Sequence, residues 1–155
     1  MRIIAVANQK GGVGKTTTSI NLGAYLAKMG HRVLIVDLDP QGNSSSGLAI
    51  AKNQLPKTMY HVLVENAPAS EVIARTSVDK LDVLPASSVL AAAELELSDM
   101  PQREYQLRKA LGGLVYDFVL IDCPPSLGLL TLNGLVAASY LLIPVQSEYY
   151  ALEGL

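Results

Sequence analysis

The most constraining feature of the sequence is a segment rich in glycine and lysine, residues 10–17, that closely follows a short apolar run. The run, residues 3–7, is apolar on both faces, as expected of a buried parallel strand. After the segment, residues 17–29 carry apolar side chains at helical spacing and stop at Gly30, a residue type that commonly ends helices. The chain is therefore predicted to begin with a strand, a glycine loop and a helix.

The residue types in this loop point to phosphate binding. Glycines at positions 11, 12 and 14 let successive backbone N–H groups converge on an anion, and the next helix directs its positive end at the same point. Lys15 supplies a mobile positive charge for phosphate oxygens, and Thr16 offers a hydroxyl to Mg²⁺. A turn that only joins strand to helix would not need the lysines. We predict ATP and Mg²⁺ as ligands, with the nucleotide-binding residues Lys10, Gly11, Gly12, Val13, Gly14, Lys15, Thr16 and Thr17.

The rest of the chain alternates between predicted strands and predicted helices. The strands are apolar runs at residues 3–7, 33–36, 81–84, 118–121 and 141–145. The helices are expected at residues 17–29, 88–97, 102–111 and 127–138, with a weaker candidate at 58–65. This alternation favours right-handed crossovers and a doubly wound, mostly parallel open α/β sheet with helices on both faces. We expect residues 1–155 to form a single domain.

Carboxylates follow two of the predicted strands. Asp37 and Asp39 come at the end of one strand, and Asp122 ends another. Ligands of open α/β folds bind at the carboxyl ends of the strands, so all three acids are expected near the glycine loop. We predict that Asp122 binds Mg²⁺ through water. Asp37 and Asp39 could take part in the metal site or could cap the following turn, and hydrogen bonding within the loop is the preferred interpretation for Asp37.

Composition narrows the class of protein further. The chain has 12 basic and 14 acidic side chains, a net charge of −2, so any nucleic acid or anionic lipid must bind a local patch. A single cysteine, Cys123, excludes an internal disulfide, and we expect it to be a small buried residue. No signal peptide or membrane span is evident, which predicts a cytoplasmic protein without membrane contact.

The loop departs from the general phosphate-loop pattern, which has glycine where this chain has Gln9. With Lys10 in front, the segment Lys-Gly-Gly-Val-Gly-Lys-Thr-Thr resembles the deviant Walker A loop of the ParA and MinD superfamily of ATPases. The resemblance implies that Lys10 reaches across an ATP-dependent homodimer to the partner's nucleotide. It also implies that Asp39, in Asp-Pro-Gln-Gly, orients the attacking water and touches the hydration shell of Mg²⁺. We therefore predict Lys10, Lys15 and Asp39 as catalytic, and Thr16, Asp39 and Asp122 as the metal site.

Three separated blocks resemble the chromosomal ParA branch, also called Soj. They are residues 7–9 with the Lys10 loop, residues 37–43 and residues 145–154. The first alternative, the membrane-recruited MinD branch, is disfavoured because no amphipathic lipid-binding helix is evident. The second, the nitrogenase iron protein branch, needs more cysteines than Cys123.

The ParA/Soj resemblance implies an ATPase that segregates chromosomes or plasmids, is stimulated by a ParB-like partner and is associated with the nucleoid. Relatives continue beyond Leu155 with regions that bind the base and nonspecific DNA, so we expect this chain to be the N-terminal part of a longer family domain. A fragment that binds nucleotide without partition activity, or a MinD-like division-site regulator, stays open as an alternative. The basic residues Arg103, Arg108 and Lys109 are interpreted as a solvated helix face.

Three further expectations concern local structure. Residues 41–47 are polar and small, which predicts a mobile loop. Tyr149 and Tyr150 are expected to pack at the start of a helix. The last predicted strand should lie beside residues 3–7, where its unpaired edge would favour self-association.

Overall fold

The computed structural model describes residues 1–147 and contains one six-stranded sheet. The strands are β1 Arg2–Val6, β2 Val33–Asp37, β3 Ala74–Arg75, β4 Leu81–Leu84, β5 Phe118–Asp122 and β6 Tyr140–Leu142. Their order across the sheet is β3-β4-β2-β5-β1-β6, and only β3 runs antiparallel to its neighbour. This confirms the predicted doubly wound, mostly parallel α/β fold.

Seven α-helices cover the sheet within these residues. They are α1 Lys15–Lys28, α2 Asn43–Gly47, α3 Met59–Leu63, α4 Ala69–Val72, α5 Ala93–Ser98, α6 Gln106–Leu111 and α7 Leu129–Ala137. Short 3₁₀ turns occur at Lys52–Gln54, Ser88–Ala92 and Arg103–Tyr105. The helices predicted at residues 88–97 and 102–111 therefore begin as 3₁₀ turns before they become α-helical.

Both faces of the sheet are buried, as the unbroken apolar runs predicted. Successive residues of β2 point to opposite faces, so Val33 and Ile35 join one core with Ala27 of α1. Leu34 and Val36 join the other core, which includes Leu107 of α6. Every residue of β2 is buried, because the strand lies between β4 and β5 and is covered by helices on both sides.

The parallel register brings two predicted acids together. Asp37, the last residue of β2, lies opposite Asp122, the last residue of β5, and Asp122 also lies opposite Val6 at the end of β1. The loop that follows β1 therefore starts beside both carboxylates. Parallel strands that end at the same level place their following loops at one edge of the sheet, and that edge carries the candidate site.

The two ends of the sheet differ from the sequence prediction. Strand β3 was not predicted, because two residues are too few to show a pattern. The strand predicted at residues 141–145 lies beside β1, as expected, but it ends at Leu142. Pro144 has no backbone N–H to donate to a ladder. Among residues 1–147, β6 pairs only with β1, and Tyr140 and Leu141 are more than half exposed.

No helix among residues 1–147 combines the length and the apolar character needed to cross a membrane. The third block of the ParA/Soj resemblance, residues 145–154, lies outside the described residues from residue 148 on, and that part includes Tyr149 and Tyr150.

Candidate functional site

The glycine loop connects β1 to α1 and leaves open space in front of its backbone. Gly12 and Gly14 have φ values of 76° and 90°, which glycine adopts without a steric penalty. A Cβ atom built on Gly11, Gly12 or Gly14 meets no atom within 4 Å. Helix α1 begins directly after Gly14, so its unpaired N–H groups and positive dipole face this space. The loop can therefore hold an anionic group against its backbone.

Lys15 provides a buried positive charge at this loop. Its residue surface is only 8% exposed, and its Nζ atom donates a hydrogen bond to the carbonyl oxygen of Lys10 at 3.2 Å. Among residues 1–147, the basic and acidic side chains that lie within 4.0 Å of each other are Lys57 with Glu71 and His31 with Asp117. Lys15 has no carboxylate within that distance, although its positive charge opposes the rise that burial causes in the pKa of Asp122. A buried ammonium group without a direct ion pair favours the binding of an anion such as phosphate.

Asp122 has one carboxylate oxygen in use and one free. Its Oδ2 atom accepts hydrogen bonds from the hydroxyls of Thr16 and Ser44, both at 2.7 Å. Its Oδ1 atom is buried and has no hydrogen-bond partner among the described residues. Burial raises the pKa of this carboxyl group, and the two hydroxyls oppose that shift. An unpaired buried carboxylate oxygen is suited to a cation or to a water bound to one.

Thr16 fits the same metal interpretation. A hydroxyl that coordinates a metal through its oxygen keeps its hydrogen, and the hydrogen of Thr16 already points to Asp122. Among residues 1–147, no cluster of three or more His, Cys, Asp or Glu side chains could form an all-protein metal cage. Mg²⁺ does not need such a cage, since it is commonly held by one or two protein oxygens, water and phosphate.

Asp37 organises the segment that follows β2. Its Oδ2 atom accepts hydrogen bonds from the amide and the hydroxyl of Ser45, at 2.8 and 2.7 Å, and its Oδ1 atom accepts one from the amide of Asp39 at 3.3 Å. Burial raises the pKa of Asp37 to about 6, against the opposing effect of Ser45. The preferred interpretation of Asp37 as a hydrogen-bonding support for the loop agrees with this geometry.

The prediction of a mobile loop at residues 41–47 is wrong. Asn43–Gly47 forms helix α2, and the side chains of Ser44 and Ser45 are completely buried. Their hydroxyls donate to Asp122 and Asp37, and the oxygen of Ser45 also accepts a hydrogen bond from the amide of Ala86. Small polar residues suggest flexibility when nothing else is known, but here buried carboxylates order them.

Replacing Ser45 with alanine is expected to lower the free energy of unfolding by about 2–3 kcal/mol. The change removes one hydrogen bond to the buried carboxylate of Asp37 and leaves the amide of Ala86 unpaired. Urea denaturation of the nucleotide-free chain measures the effect. Ser46, the exposed neighbour on the same helix, is the matched control, and Ser46→Ala should change stability by less than about 0.5 kcal/mol. Equal effects of the two substitutions would contradict this account.

Most of the predicted site residues line one cavity of about 380 Å³. Its walls are Gly11, Gly12, Gly14, Lys15, Thr16, Thr17, Asp39, Gln41, Asn43 and Pro125. Asp122 lies directly beneath, bonded to Thr16. Val13 has a buried side chain, so only its backbone can face a ligand. Lys10 is half-buried and does not line this cavity.

Three residues support the loops that line the cavity, and none of them was named as a candidate from the sequence. Asn8 is buried, accepts a hydrogen bond from the amide of Lys10 at 2.9 Å and donates one to the carbonyl of Pro144 at 2.9 Å. Gln146 donates to the carbonyl of Gly12 at 3.3 Å. Lys52 donates to the carbonyls of Gln41 and Gly42. Asn8 and Gln146 lie in two of the blocks that resemble the ParA branch, whereas nothing in the sequence pointed to Lys52.

Other polar residues show no ligand chemistry in the described part of the chain. Burial raises the pKa of the Cys123 thiol to about 12, which keeps it protonated, and the expected small buried role of Cys123 agrees with its 1% exposure. His61 accepts a hydrogen bond from the amide of Thr58 and so helps to cap α3. The basic residues Arg103, Arg108 and Lys109 are all exposed, as the solvated-face interpretation requires.

A mostly parallel, doubly wound sheet with a glycine loop between β1 and α1, a buried lysine and a strand-end carboxylate defines a P-loop nucleotide-binding fold. A family model described as an AAA domain matches residues 1–155. The chain is 56% identical over 156 residues to the sporulation initiation inhibitor protein Soj of Bacillus subtilis and covers 99% of itself and 62% of Soj. It is 54% identical over 156 residues to the chromosome partitioning protein ParA of Myxococcus xanthus, and this match covers 99% of the chain and 55% of ParA.

The structure is similar to a crystal structure of cobyrinic acid a,c-diamide synthase from Mycobacterium smegmatis with bound ADP and magnesium. The TM-score is 0.96 at 47% sequence identity, and the match covers 100% of this chain and 64% of that one. The chain thus spans roughly three fifths of the length of the relatives it matches. By these matches, the chain belongs to the AAA domain family, among its ParA and Soj members.

Proposed function

We propose that this chain binds ATP with Mg²⁺, hydrolyses the ATP, and acts as a nucleotide-switched dimer in the segregation of chromosomes or plasmids. The observation that carries the proposal is that the same site contains a buried lysine and a buried carboxylate oxygen without a hydrogen-bond partner. Within the described part of the chain, Lys15 has no carboxylate within 4.0 Å, and Oδ1 of Asp122 has no hydrogen-bond partner. A magnesium nucleotide, which has both anionic oxygens and a cation, satisfies the two groups together.

The phosphates lie against the loop backbone in this proposal. The open space in front of Gly11, Gly12 and Gly14 accepts them, and the N-terminus of α1 stabilises their charge. Lys15 contacts the β- and γ-phosphate oxygens. The solved relative with bound ADP and magnesium supports this choice of ligand.

Thr16 and Asp122 are the residues that would hold the metal. Thr16 would supply its hydroxyl oxygen as a ligand, and Asp122 would contact the hydration shell through Oδ1. A Mg²⁺ ion held there would supply positive charge that offsets the charge developing on the phosphate during transfer. Ser44 holds the other oxygen of Asp122, so the carboxylate keeps one orientation.

Two residues are assigned to hydrolysis. Asp39 lines the cavity opposite the loop, and we assign it to orienting the attacking water and to contacting the metal's hydration shell. Lys10, which lies outside the cavity wall, is assigned to the partner's nucleotide in an ATP-dependent homodimer, where it offsets charge on the transferring phosphate. In this assignment Lys15 acts within its own subunit and Lys10 acts across the dimer.

The cargo and the partners are proposed from the names of the relatives. Chromosome partitioning is the role stated in the name of the ParA relative, and the cytoplasmic activity proposed here uses a ParB-like protein as its stimulating partner. Nonspecific DNA is a ligand of full-length relatives by the family resemblance. Arg103, Arg108 and Lys109 are exposed and are interpreted as a solvated helix face, so no DNA contact is assigned to them.

Sedimentation of the chain with ATP, with ADP and without nucleotide tests the switch. We expect a dimer that forms with Mg²⁺ and ATP or a slowly hydrolysed analogue and that is absent in the other two states, whereas self-association through the edge of β6 would occur in all three. Phosphate release, measured in parallel, should require Mg²⁺ and should be slow without a partner. A chain that binds ATP but stays monomeric would favour a nucleotide-binding fragment, and ATP-dependent binding to lipid vesicles would favour a MinD-like regulator.

A further inference from the structure

A carboxylate from α5 caps the helix that follows the site. Glu94 accepts hydrogen bonds from the amides of Leu129 and Leu130, at 2.9 and 3.2 Å, through its two different oxygens. These are the first two residues of α7, whose amides have no partner inside the helix. A negative charge at this position also interacts favourably with the helix dipole. Glu94 therefore holds the N-terminus of α7 from 35 residues away in sequence.

Gly128 makes this contact possible. A Cβ atom built on Gly128 would lie 2.3 Å from Oε1 and 2.5 Å from Oε2 of Glu94. The φ value of Gly128 is −77°, which any residue adopts, so the backbone itself does not require glycine here. The glycine serves to leave room for the carboxylate.

The capped N-terminus of α7 directly follows the segment that connects the candidate site to this helix. This segment, residues 123–128, begins directly after Asp122 and carries Pro125, which lines the phosphate cavity. Its first amide, from Cys123, donates to the carbonyl of Val6 at 3.1 Å. Near its other end, the hydroxyl of Thr131 donates to the carbonyl of Ser126 at 2.6 Å. Glu94 fixes the point at which this segment joins α7.

We propose that Glu94 is a positioning residue for ATP hydrolysis, because it fixes the segment that connects Asp122 to α7 and so sets the place of Pro125 in the cavity wall. The inference rests on the proposed ATPase function. Glu94 does not line the cavity, so its loss should leave the affinity for nucleotide intact. A displacement of about 1 Å in the wall around the reacting groups can slow a reaction by roughly a hundredfold.

The test uses variants that break the contact from both sides. Glu94→Gln keeps the shape of the side chain but removes its charge and leaves it one acceptor oxygen. Gly128→Ala keeps the charge and pushes the carboxylate away. Glu94→Ala removes the carboxylate. The double variant Glu94→Ala/Gly128→Ala then has no clash, because the methyl group at position 128 has room. Glu96→Gln is the matched control, since Glu96 is an exposed acid on the same helix that bonds to the hydroxyl of Tyr60.

Three quantities are measured for each variant of the chain: the turnover rate, the Kd for ATP, and amide exchange at Leu129 and Leu130. We expect Glu94→Gln and Gly128→Ala each to lower turnover at least about tenfold, to keep Kd within about twofold, and to speed exchange at both amides. In the Glu94→Ala background, Gly128→Ala should add little further effect. Glu96→Gln should resemble the wild type.

Wild-type turnover in Glu94→Gln would overturn the proposal, and so would an equal loss of turnover and affinity. Additive effects of the Glu94 and Gly128 substitutions would show that the two residues act independently, and this result would also overturn the proposal. A wild-type chain that binds ATP without hydrolysing it would overturn the proposed function and with it any role of Glu94 in hydrolysis. The exchange data would then still decide whether the carboxylate holds α7.

Discussion

Replacing Lys15 with alanine is expected to abolish nucleotide binding. The ammonium group is buried at the loop, and its only protein hydrogen bond among residues 1–147 goes to the carbonyl of Lys10. Loss of one partner of a buried charge pair costs about 2–5 kcal/mol or more, and a loss of about 5 kcal/mol moves a micromolar Kd into the millimolar range, beyond ordinary titrations. Titration with a fluorescent ATP analogue measures the loss, and circular dichroism establishes that the variant is folded.

Lys10→Ala is the matched comparison for Lys15→Ala. Lys10 is half-buried and lies outside the cavity wall, so its removal should leave nucleotide binding largely intact. The same variant should lose any ATP-dependent dimer, because we assign its side chain to the nucleotide of the other subunit. Equal losses of affinity in the two variants would defeat that assignment.

Asp39→Ala is expected to retain Mg·ATP and to hydrolyse it at least about tenfold more slowly. A residue that positions the attacking water acts mainly in the transition state, so binding and turnover should separate. The Oδ1 atom of Asp39 also accepts a hydrogen bond from the amide of Gln41 at 2.9 Å, so loss of this turn could slow turnover for a structural reason.

Asp39→Asn separates these two explanations. The amide oxygen of asparagine can still accept the hydrogen bond from Gln41, whereas the negative charge is gone. Slow turnover in both variants would support the catalytic assignment. Wild-type turnover in Asp39→Asn but not in Asp39→Ala would show that Asp39 only caps the turn. Wild-type turnover in Asp39→Ala would show that another residue has the catalytic role.

Local residue types were enough to predict the fold and the phosphate loop. Glycines at 11, 12 and 14 predict a loop whose backbone can converge on an anion, without any knowledge of their surroundings, and runs such as residues 33–36 predict burial on both sides. Strands that alternate with helices leave few connections open, so the doubly wound sheet followed as well. These features depend on neighbours in the sequence, and a single chain displays them directly.

The contacts that order the site could not be predicted in this way, because they join distant parts of the chain. Ser44 bonds to Asp122 across 78 residues, and only the register of β2 against β5 brings them together. From the sequence alone, the serines at 44–46 favoured a mobile loop; two buried carboxylates turned it into a helix. The proposed role of Glu94 likewise depends on a contact with Leu129, which lies 35 positions away in the sequence. The function of a buried polar side chain depends on its hydrogen-bond partners, and these partners are known only from the tertiary structure.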